Sequence, residues 1–140
     1  MYVTRKADYA IRCVLYLSKN PGRLVSVDEI ALATLVPKSF LAKILQRLMK
    51  SGIAASARGV KGGFQLSKKP KDINLLEVVE AIQDISAANV CAVDKKSCRL
   101  SGSCAVHPVW VNIRQMVERE LRKTTFAKLV NKNVVTGNKL

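Results

Sequence analysis

The chain has 140 residues, with 24 Lys and Arg against 10 Asp and Glu, which gives a formal net charge of +14 at pH 7. Apolar residues make up 49% of it, enough for one hydrophobic core, so intrinsic disorder is excluded for most of the chain. No apolar run reaches the length of about 18 residues that spans a bilayer. The charged N-terminus lacks the pattern of a secretory signal, so we expect a cytoplasmic protein.

Three helices are predicted in the first third of the chain. Apolar residues at helical spacing predict the first helix over residues 7–19. A capping box at residues 26–29 predicts the start of a short second helix. The third helix is predicted over residues 38–51, with one apolar stripe along it. Two helices joined by a tight connection after a leading helix have the outline of a helix-turn-helix.

A glycine-rich basic turn follows, between two predicted short strands at residues 53–57 and 64–66. This hairpin is typical of a wing. A fourth helix is predicted from the cap at Asn74 to about Gln83, and a long helix from Ala105 to about Lys123. The apolar stripe of the long helix suits an antiparallel dimer partner.

The predicted fold is therefore mainly α, a winged helix-turn-helix with a long C-terminal dimerisation helix. The expected division has four parts: a DNA-binding region at 1–83, a cysteine loop at 84–104, a dimerisation helix with a closing helix at 105–130, and a tail at 131–140.

The positive charge is concentrated in the N-terminal half. Residues 1–72 contain 14 Lys and Arg against 4 Asp and Glu, whereas residues 73–140 contain 10 against 6. Such a field favours a polyanionic partner, of which nucleic acid is the commonest and an anionic membrane surface the weaker alternative.

The candidate DNA contacts follow from how a helix-turn-helix docks, with the N-terminal end of its second helix in the major groove. The candidates for base-edge contact are Lys38, Ser39 and Lys43. The candidates for backbone or minor-groove contact are Arg5, Lys6, Arg47, Lys50, Arg58 and Lys61. For each single residue, a solvated surface charge is the alternative interpretation.

Three of the four cysteines, Cys91, Cys98 and Cys104, lie within fourteen residues, separated by six and five residues. With His107 they form a possible set of three thiolates and one imidazole. Structural zinc sites generally pair cysteines two to four residues apart, whereas a larger iron-sulfur centre accepts wider spacings. The spacing favours iron-sulfur and leaves zinc or free thiols as alternatives. Cys13, in an apolar stretch, is predicted to be a buried small hydrophobe.

At this point the sequence resembles the IscR/NsrR-type (Rrf-two) family of bacterial iron-sulfur transcription regulators over residues 1–130. The resemblance is carried by residues 3–10, by the wing segment 58–66, and by the three-cysteine loop before a long helix. It implies a homodimer with a long crossing helix at its interface. It also implies binding to a pseudo-palindromic double-stranded DNA operator, and an iron-sulfur cluster, [2Fe-2S] or [4Fe-4S], whose state alters DNA affinity.

The resemblance implies that the three loop cysteines are cluster ligands. For the fourth ligand, the cluster-assembly regulators use a histidine that matches His107, and the nitric-oxide sensors use a first-helix aspartate of the other subunit that matches Asp8. Both residues are present, and the first helix looks more like that of the nitric-oxide sensors. Two departures are the six-residue gap after Cys91, where five is common, and Ala42 in place of a glutamate that tunes site choice.

We therefore predict a dimeric DNA-binding transcription regulator, a repressor, that senses iron-sulfur status, nitric oxide or redox state. The alternative is a cluster-free regulator with a thiol-redox or structural zinc site at the same cysteines. An enzyme is not expected, because the chain has one histidine, few acidic residues and no phosphate-loop or nucleophile motif.

Overall fold

The computed structural model describes residues 3–85 and 90–132. The helices are α1 (Arg5–Ser18), α2 (Val27–Thr34), α3 (Lys38–Lys50), α4 (Leu75–Ile82), α5 (His107–Lys123) and α6 (Phe126–Lys132). The strands are β1 (Ala54–Ala57) and β2 (Gly63–Leu66), which pair antiparallel with Ala54 opposite Leu66. The chain is mainly helical with a small hairpin, and the predicted winged helix-turn-helix fold is confirmed.

Side-chain caps set the starts of three helices. The Ser26 hydroxyl accepts from the Glu29 amide at 3.2 Å, and the Asn74 side chain accepts from the Glu77 amide at 3.0 Å, as the sequence predicted. Thr4 caps α1 in the same way, so this helix begins two residues before the predicted position. Each cap satisfies an amide that the first helical turn leaves unpaired.

The turn between α2 and α3 is short. Leu35 ends α2 in the left-handed region, with a φ of 56°, which is unusual for a residue with a branched side chain. Val36 is buried and Pro37 leads directly into α3. The two helices of the predicted helix-turn-helix are therefore held close by a connection of three residues.

The wing is attached to the segment before α2. Val25 and Phe64 exchange two backbone hydrogen bonds, of 2.9 and 2.8 Å. A Cβ atom at Gly63 would lie 2.6 Å from the Val25 carbonyl oxygen, so glycine is needed for this close approach. The hairpin is thus fixed to the helix-turn-helix at its base.

The core forms between α1, α3, α4 and α6. The predicted stripe of α3 is fully buried, and its members are Leu41, Ile44, Leu45 and Leu48. On α4, Val78, Val79 and Ile82 are buried at the spacing of one helical face, Leu76 is buried as well, and Leu75 is half-buried against the core. Phe126 of α6 is fully buried and closes the core beside α1.

The long helix α5 contributes no buried residue to this core. Its C-terminal end is attached to the start of α4: the Leu75 amide donates to the Thr124 carbonyl at 3.0 Å, and the Phe126 amide donates to the Ile73 carbonyl at 2.9 Å. The predicted stripe of α5 is half-buried in the single chain, and it consists of Trp110, Ile113, Val117 and Leu121.

The predicted cysteine loop contains two single-turn helices within its described part, Val90–Ala92 and Lys95–Ser97. Residues 86–89 of this loop and residues 133–140 of the predicted tail lie outside the described residues. In the parts of the chain that the structure describes, no helix combines the length and apolar character needed to cross a membrane.

Candidate nucleic-acid interface and metal centre

One side of α3 is polar and faces solvent, opposite its buried stripe. Its exposed polar residues are Lys38, Ser39, Lys43, Gln46, Arg47 and Lys50. This separation follows from helical periodicity, because residues three or four apart share a face. The predicted contact residues of α3 therefore all lie on its exposed side.

Lys38 forms an ion pair with the first turn of α2. Its Nζ lies 2.6 Å from Asp28 Oδ1, and both side chains are mostly exposed. Exposed pairs of this kind contribute only about 0.2–1 kcal/mol, since solvent screens them. The ammonium of Lys38 can therefore exchange Asp28 for a phosphate or a base edge at small cost.

Arg47 has a structural contact that its position on α3 did not predict. Its Nη1 donates to the carbonyl oxygen of Ile82 at 2.9 Å. Ile82 ends α4, and carbonyls in a last helical turn lack partners within the helix. Arg47 thus joins the end of α3 to the end of α4, in addition to any contact with DNA.

The remaining predicted contacts lie on the wing and at the N-terminus. Arg58 and Lys61 are exposed on the turn between β1 and β2, where the Gly62 amide donates to the Gly59 carbonyl at 2.9 Å. Arg5 and Lys6 are exposed in the first turn of α1. Positive charge at a helix N-terminus is unfavourable by itself, which is consistent with a role in contacting an anion.

Arg12 joins α1 to the helix-turn-helix. Its Nη2 lies 2.9 Å from Asp8 Oδ2, and its Nη1 donates to the Thr34 carbonyl at 3.3 Å. The guanidinium also lies 5.5 Å from the centre of the Tyr9 ring. Tyr9 in turn packs edge-on against Phe40 of α3, with ring centres 5.8 Å apart. Sequence reasoning missed this set of contacts, although the i,i+4 spacing of Asp8 and Arg12 was a signal.

The three loop cysteines and His107 line one cavity of about 400 Å³. The structure therefore brings together four of the five candidate metal ligands. The other residues around the cavity are Ser97, Ser101, Val106 and Trp110. Cys98 is exposed, whereas Cys91 and Cys104 are half-buried.

Short backbone turns place these side chains. The Ser101 amide donates to the Cys98 carbonyl at 3.2 Å, and the Cys104 amide donates to the Leu100 carbonyl at 2.7 Å. His107 follows as the first residue of α5, and its amide donates to the Cys104 carbonyl at 3.3 Å. The first turn of α5 thus lies beside the three thiols.

Two buried polar atoms at this cavity lack hydrogen-bond partners within the described residues, Ser101 Oγ and His107 Nδ1. A buried polar atom without a partner is costly, and such atoms are rare in folded proteins. Together with three thiols they fit a bound metal group, because thiolate and imidazole are the ligands of iron-sulfur and zinc sites.

The same side chains do not converge on one point. In residues 3–85 and 90–132, no three His, Cys, Asp or Glu side chains are arranged to hold a single metal ion. A single zinc ion needs four ligands within about 2.0–2.3 Å, whereas a cluster spreads its ligands over several iron atoms.

Asp8, the fifth candidate ligand, lies elsewhere in the chain. It lines a separate hollow with Val3, Thr4 and Arg5, and its carboxylate pairs with Arg12. A ligand role for Asp8 would therefore need a second copy of the chain, as the resemblance implies.

The loop is also tied to α5 through Arg114. Its Nη1 donates to the carbonyl of Ala92, next to Cys91, at 3.0 Å. Its Nε lies 2.9 Å from Glu118 Oε1, an ion pair by distance that lacks the angle of a hydrogen bond. Cys13 lies away from this cavity and is fully buried, as predicted, and burial raises the pKa of its thiol to about 12.

Known proteins resemble this chain in sequence and in fold. The sequence profile of the Rrf2 family, described as "Iron-dependent Transcriptional regulator", matches residues 3–132. A protein of Aquifex aeolicus (strain VF5), provisionally described as an HTH-type transcriptional regulator, is 33% identical over 125 residues, covering 88% of this chain and 87% of that protein.

Two solved structures share the fold. T. potens IscR has a TM-score of 0.78 at 20% identity, covering 100% of this chain and 93% of its own. CymR, described as the global cysteine regulator of B. subtilis, has a TM-score of 0.78 at 22% identity, covering 94% of this chain and 98% of its own. At these identities the likeness establishes the fold alone.

The profile match extends over all the described residues, and the family's members are transcription regulators that bind DNA and are typically dimeric. The wing, the exposed basic face of α3 and the cysteine loop all lie within the matched range. The chain belongs to the Rrf2 family of HTH-type transcriptional regulators.

Proposed function

We propose that this protein is a homodimeric repressor whose affinity for a pseudo-palindromic operator depends on an iron-sulfur cluster. Cys91, Cys98, Cys104 and His107 hold the cluster in this proposal. The observation that carries it is the single cavity lined by all four side chains, with an unpartnered imidazole nitrogen among them. When bound, the cluster supplies a centre that reacts with electrons, oxidants or nitric oxide.

The chain's own residues connect this cavity to the DNA-binding surface. His107 begins α5, and the Arg114 side chain holds the Ala92 carbonyl against the same helix. The far end of α5 is bonded to the start of α4, and Arg47 of α3 is bonded to the end of α4. A change in the loop therefore has a path of direct contacts to the exposed face of α3.

On DNA, α3 enters the major groove in this proposal, and its exposed residues make the contacts. Lys38, Ser39 and Lys43 reach base edges, while Lys50 contacts the phosphates. The wing residues Arg58 and Lys61 contact the adjacent minor groove or backbone, and Arg5 and Lys6 add phosphate contacts. Arg47 contributes less, because its guanidinium is already bonded to Ile82.

Anaerobic purification followed by iron, sulfide and zinc analysis tests the proposal. The wild type is expected to contain iron and sulfide in equal amounts, and Cys98→Ala and His107→Ala to lose them. Cys13→Ala is the matched control, because this cysteine is buried away from the cavity and its removal should leave the metal content unchanged. A colourless wild-type protein with zinc or without metal would contradict the proposal.

The Asp8→Ala variant distinguishes the two candidates for the fourth ligand. We expect it to retain the cluster, since Asp8 pairs with Arg12 away from the cavity. Loss of iron in Asp8→Ala but not in His107→Ala would show that the fourth ligand is Asp8 from a second copy of the chain. Operator binding is then measured for loaded and cluster-free protein, and equal affinity would show that the cluster does not control binding.

A thiol switch is the second candidate function. It is favoured by the exposure of Cys98 and by the likeness of the fold to CymR, a global cysteine regulator. In that case the metal-free protein would respond to oxidants or to cysteine through the same three thiols. The metal analysis separates the two functions, because only the cluster-based regulator contains iron and sulfide.

A further inference from the structure

Ser101 is a buried residue at the metal cavity that neither the spacing of the cysteines nor the family resemblance singled out. It lies in the turn between Cys98 and Cys104 and is only 6% exposed. Its backbone amide is bonded to Cys98, but its Oγ is buried and has no partner in the described part of the chain. Ser101 lines the cavity together with the three cysteines, so its unpartnered hydroxyl belongs to the wall of the space that would hold a bound group.

We propose that the Ser101 hydroxyl donates a hydrogen bond to a sulfur atom of the bound cluster and thereby raises its reduction potential. This inference rests on the proposed function, since it needs a cluster in the cavity. The acceptor is a cluster sulfide or a ligand thiolate, which share the same chemistry. The proton remains on Ser101 throughout, and the single electron of reduction enters the cluster.

The direction of the effect follows from charge. Reduction makes the cluster and its thiolates more negative, so a hydrogen bond to sulfur stabilises the reduced form more than the oxidised form. Burial strengthens this difference, because no solvent competes for the hydroxyl. Donors around a metal site tune its potential in this way.

The other serines of the loop are less suited to this role. Ser97 lines the same cavity but is exposed, and Ser103 is exposed and does not line it. An exposed hydroxyl forms hydrogen bonds with water, so neither of these serines needs a sulfur acceptor. Ser103→Ala is therefore a matched control, since it removes the same hydroxyl two residues away.

The test is a redox titration with dithionite of the anaerobically loaded full-length protein, after iron and sulfide analysis of each variant. Ser101→Ala is expected to reduce the equilibrium constant for one-electron reduction by about tenfold, which lowers the midpoint potential by about 59 mV. Ser101→Thr, which keeps the hydroxyl, and the control Ser103→Ala should retain the wild-type potential. The spectroscopic signal of the exchangeable Ser101 hydroxyl proton, which couples to the reduced cluster, should also disappear in Ser101→Ala.

An unchanged potential in fully loaded Ser101→Ala would overturn the inference, and would mean that the hydroxyl makes no hydrogen bond to the cluster or its thiolates. A wild-type protein without iron and sulfide would overturn the proposed function and this inference together, so the two failures are distinguishable. If Ser101→Ala cannot hold a cluster, the near-isosteric variants Ser101→Thr and Ser101→Val replace it. A lower potential in the valine variant supports the inference, and equal potentials overturn it.

Discussion

Two regions of the molecule are stabilised differently. They are residues 4–85, which we call the reading head, and residues 90–106, the cysteine loop. In the head, helices are capped by side chains and pack around fully buried residues such as Leu45. In the loop, the buried residues among those described are Ala92 and Ser101, while Leu100 is 64% exposed. Burial of apolar surface stabilises the head, whereas the described part of the loop buries little apolar surface. The loop is instead held by backbone turns and by the hydrogen bond from Arg114 to the Ala92 carbonyl.

The largest expected effect comes from matched leucine truncations in the two regions. Leu45→Ala should lower the free energy of unfolding by about 2–5 kcal/mol, because it leaves a void in a closely packed core. Leu100→Ala should change it by less than about 0.5 kcal/mol, since that side chain is largely exposed. Urea unfolding measures both values, and similar losses would show that the loop has a core of its own.

Matched lysine truncations separate the regions by function. Lys43→Ala should weaken operator binding by about 1–3 kcal/mol if this residue contacts a base, with the iron content unchanged. Lys96→Ala, an exposed lysine of the loop, should leave the affinity close to wild type. Fluorescence anisotropy with a labelled operator gives both affinities. Equal losses would mean that the loop also lies against the DNA.

A pair of capping residues gives a smaller effect. Ser26→Ala removes the cap of α2 and should lower the free energy of unfolding by about 1 kcal/mol. Asp94 caps the single-turn helix Lys95–Ser97. Asp94→Ala should lower the free energy of global unfolding by only roughly a few tenths of a kcal/mol. Thermal unfolding compares the variants. A large loss in Asp94→Ala would show that this turn of the loop contributes to the global stability as a helix cap of the head does.

The smallest expected effect is a change in acid stability of the head. The Arg23 guanidinium and the Tyr16 hydroxyl lower the pKa of Glu29 to about 2, from an ordinary value of 4.5. The ionised carboxylate therefore stabilises the folded state fully above pH 4.5, and this contribution is lost as the pH falls towards 2. Glu29→Gln should flatten the stability curve across this range.

Urea midpoints at several pH values measure this change, with Glu80→Gln as the control for an exposed glutamate on α4. Solvent screens the Glu29 contacts, so the difference from wild type should be small. If the stability of Glu29→Gln falls with decreasing pH as steeply as that of the wild type, other carboxylates govern acid unfolding.

The head was predictable from the sequence because its signals are local. Ser26 and Asn74 mark their helix starts within one turn, and the α3 stripe reveals its buried face by spacing alone. On α4, Leu75 and Leu76 are adjacent, and which of them is the more buried was not predictable, because only packing decides between them.

The candidate site depended more on long-range contacts. The spacing of the three cysteines was visible in the sequence, but their placement around one cavity with His107 depends on turns that short sequence patterns do not fix. The bond from Arg47 to Ile82 joins residues 35 positions apart, and no local pattern predicts it. The buried hydroxyl of Ser101 was equally hidden, because serine is ordinary in a loop and only the packed structure reveals its burial.

Helix α5 is attached to other parts of the chain at both of its ends. Its N-terminal end follows the cysteine turns directly, and the Thr124 carbonyl at its C-terminal end accepts from the Leu75 amide. A helix of 17 residues is about 25 Å long, so a tilt of a few degrees at one end displaces the other by about an ångström or two. In the proposed coupling, a small rearrangement around His107 would tilt α5 and displace its far end by this distance, which grows with the length of the helix.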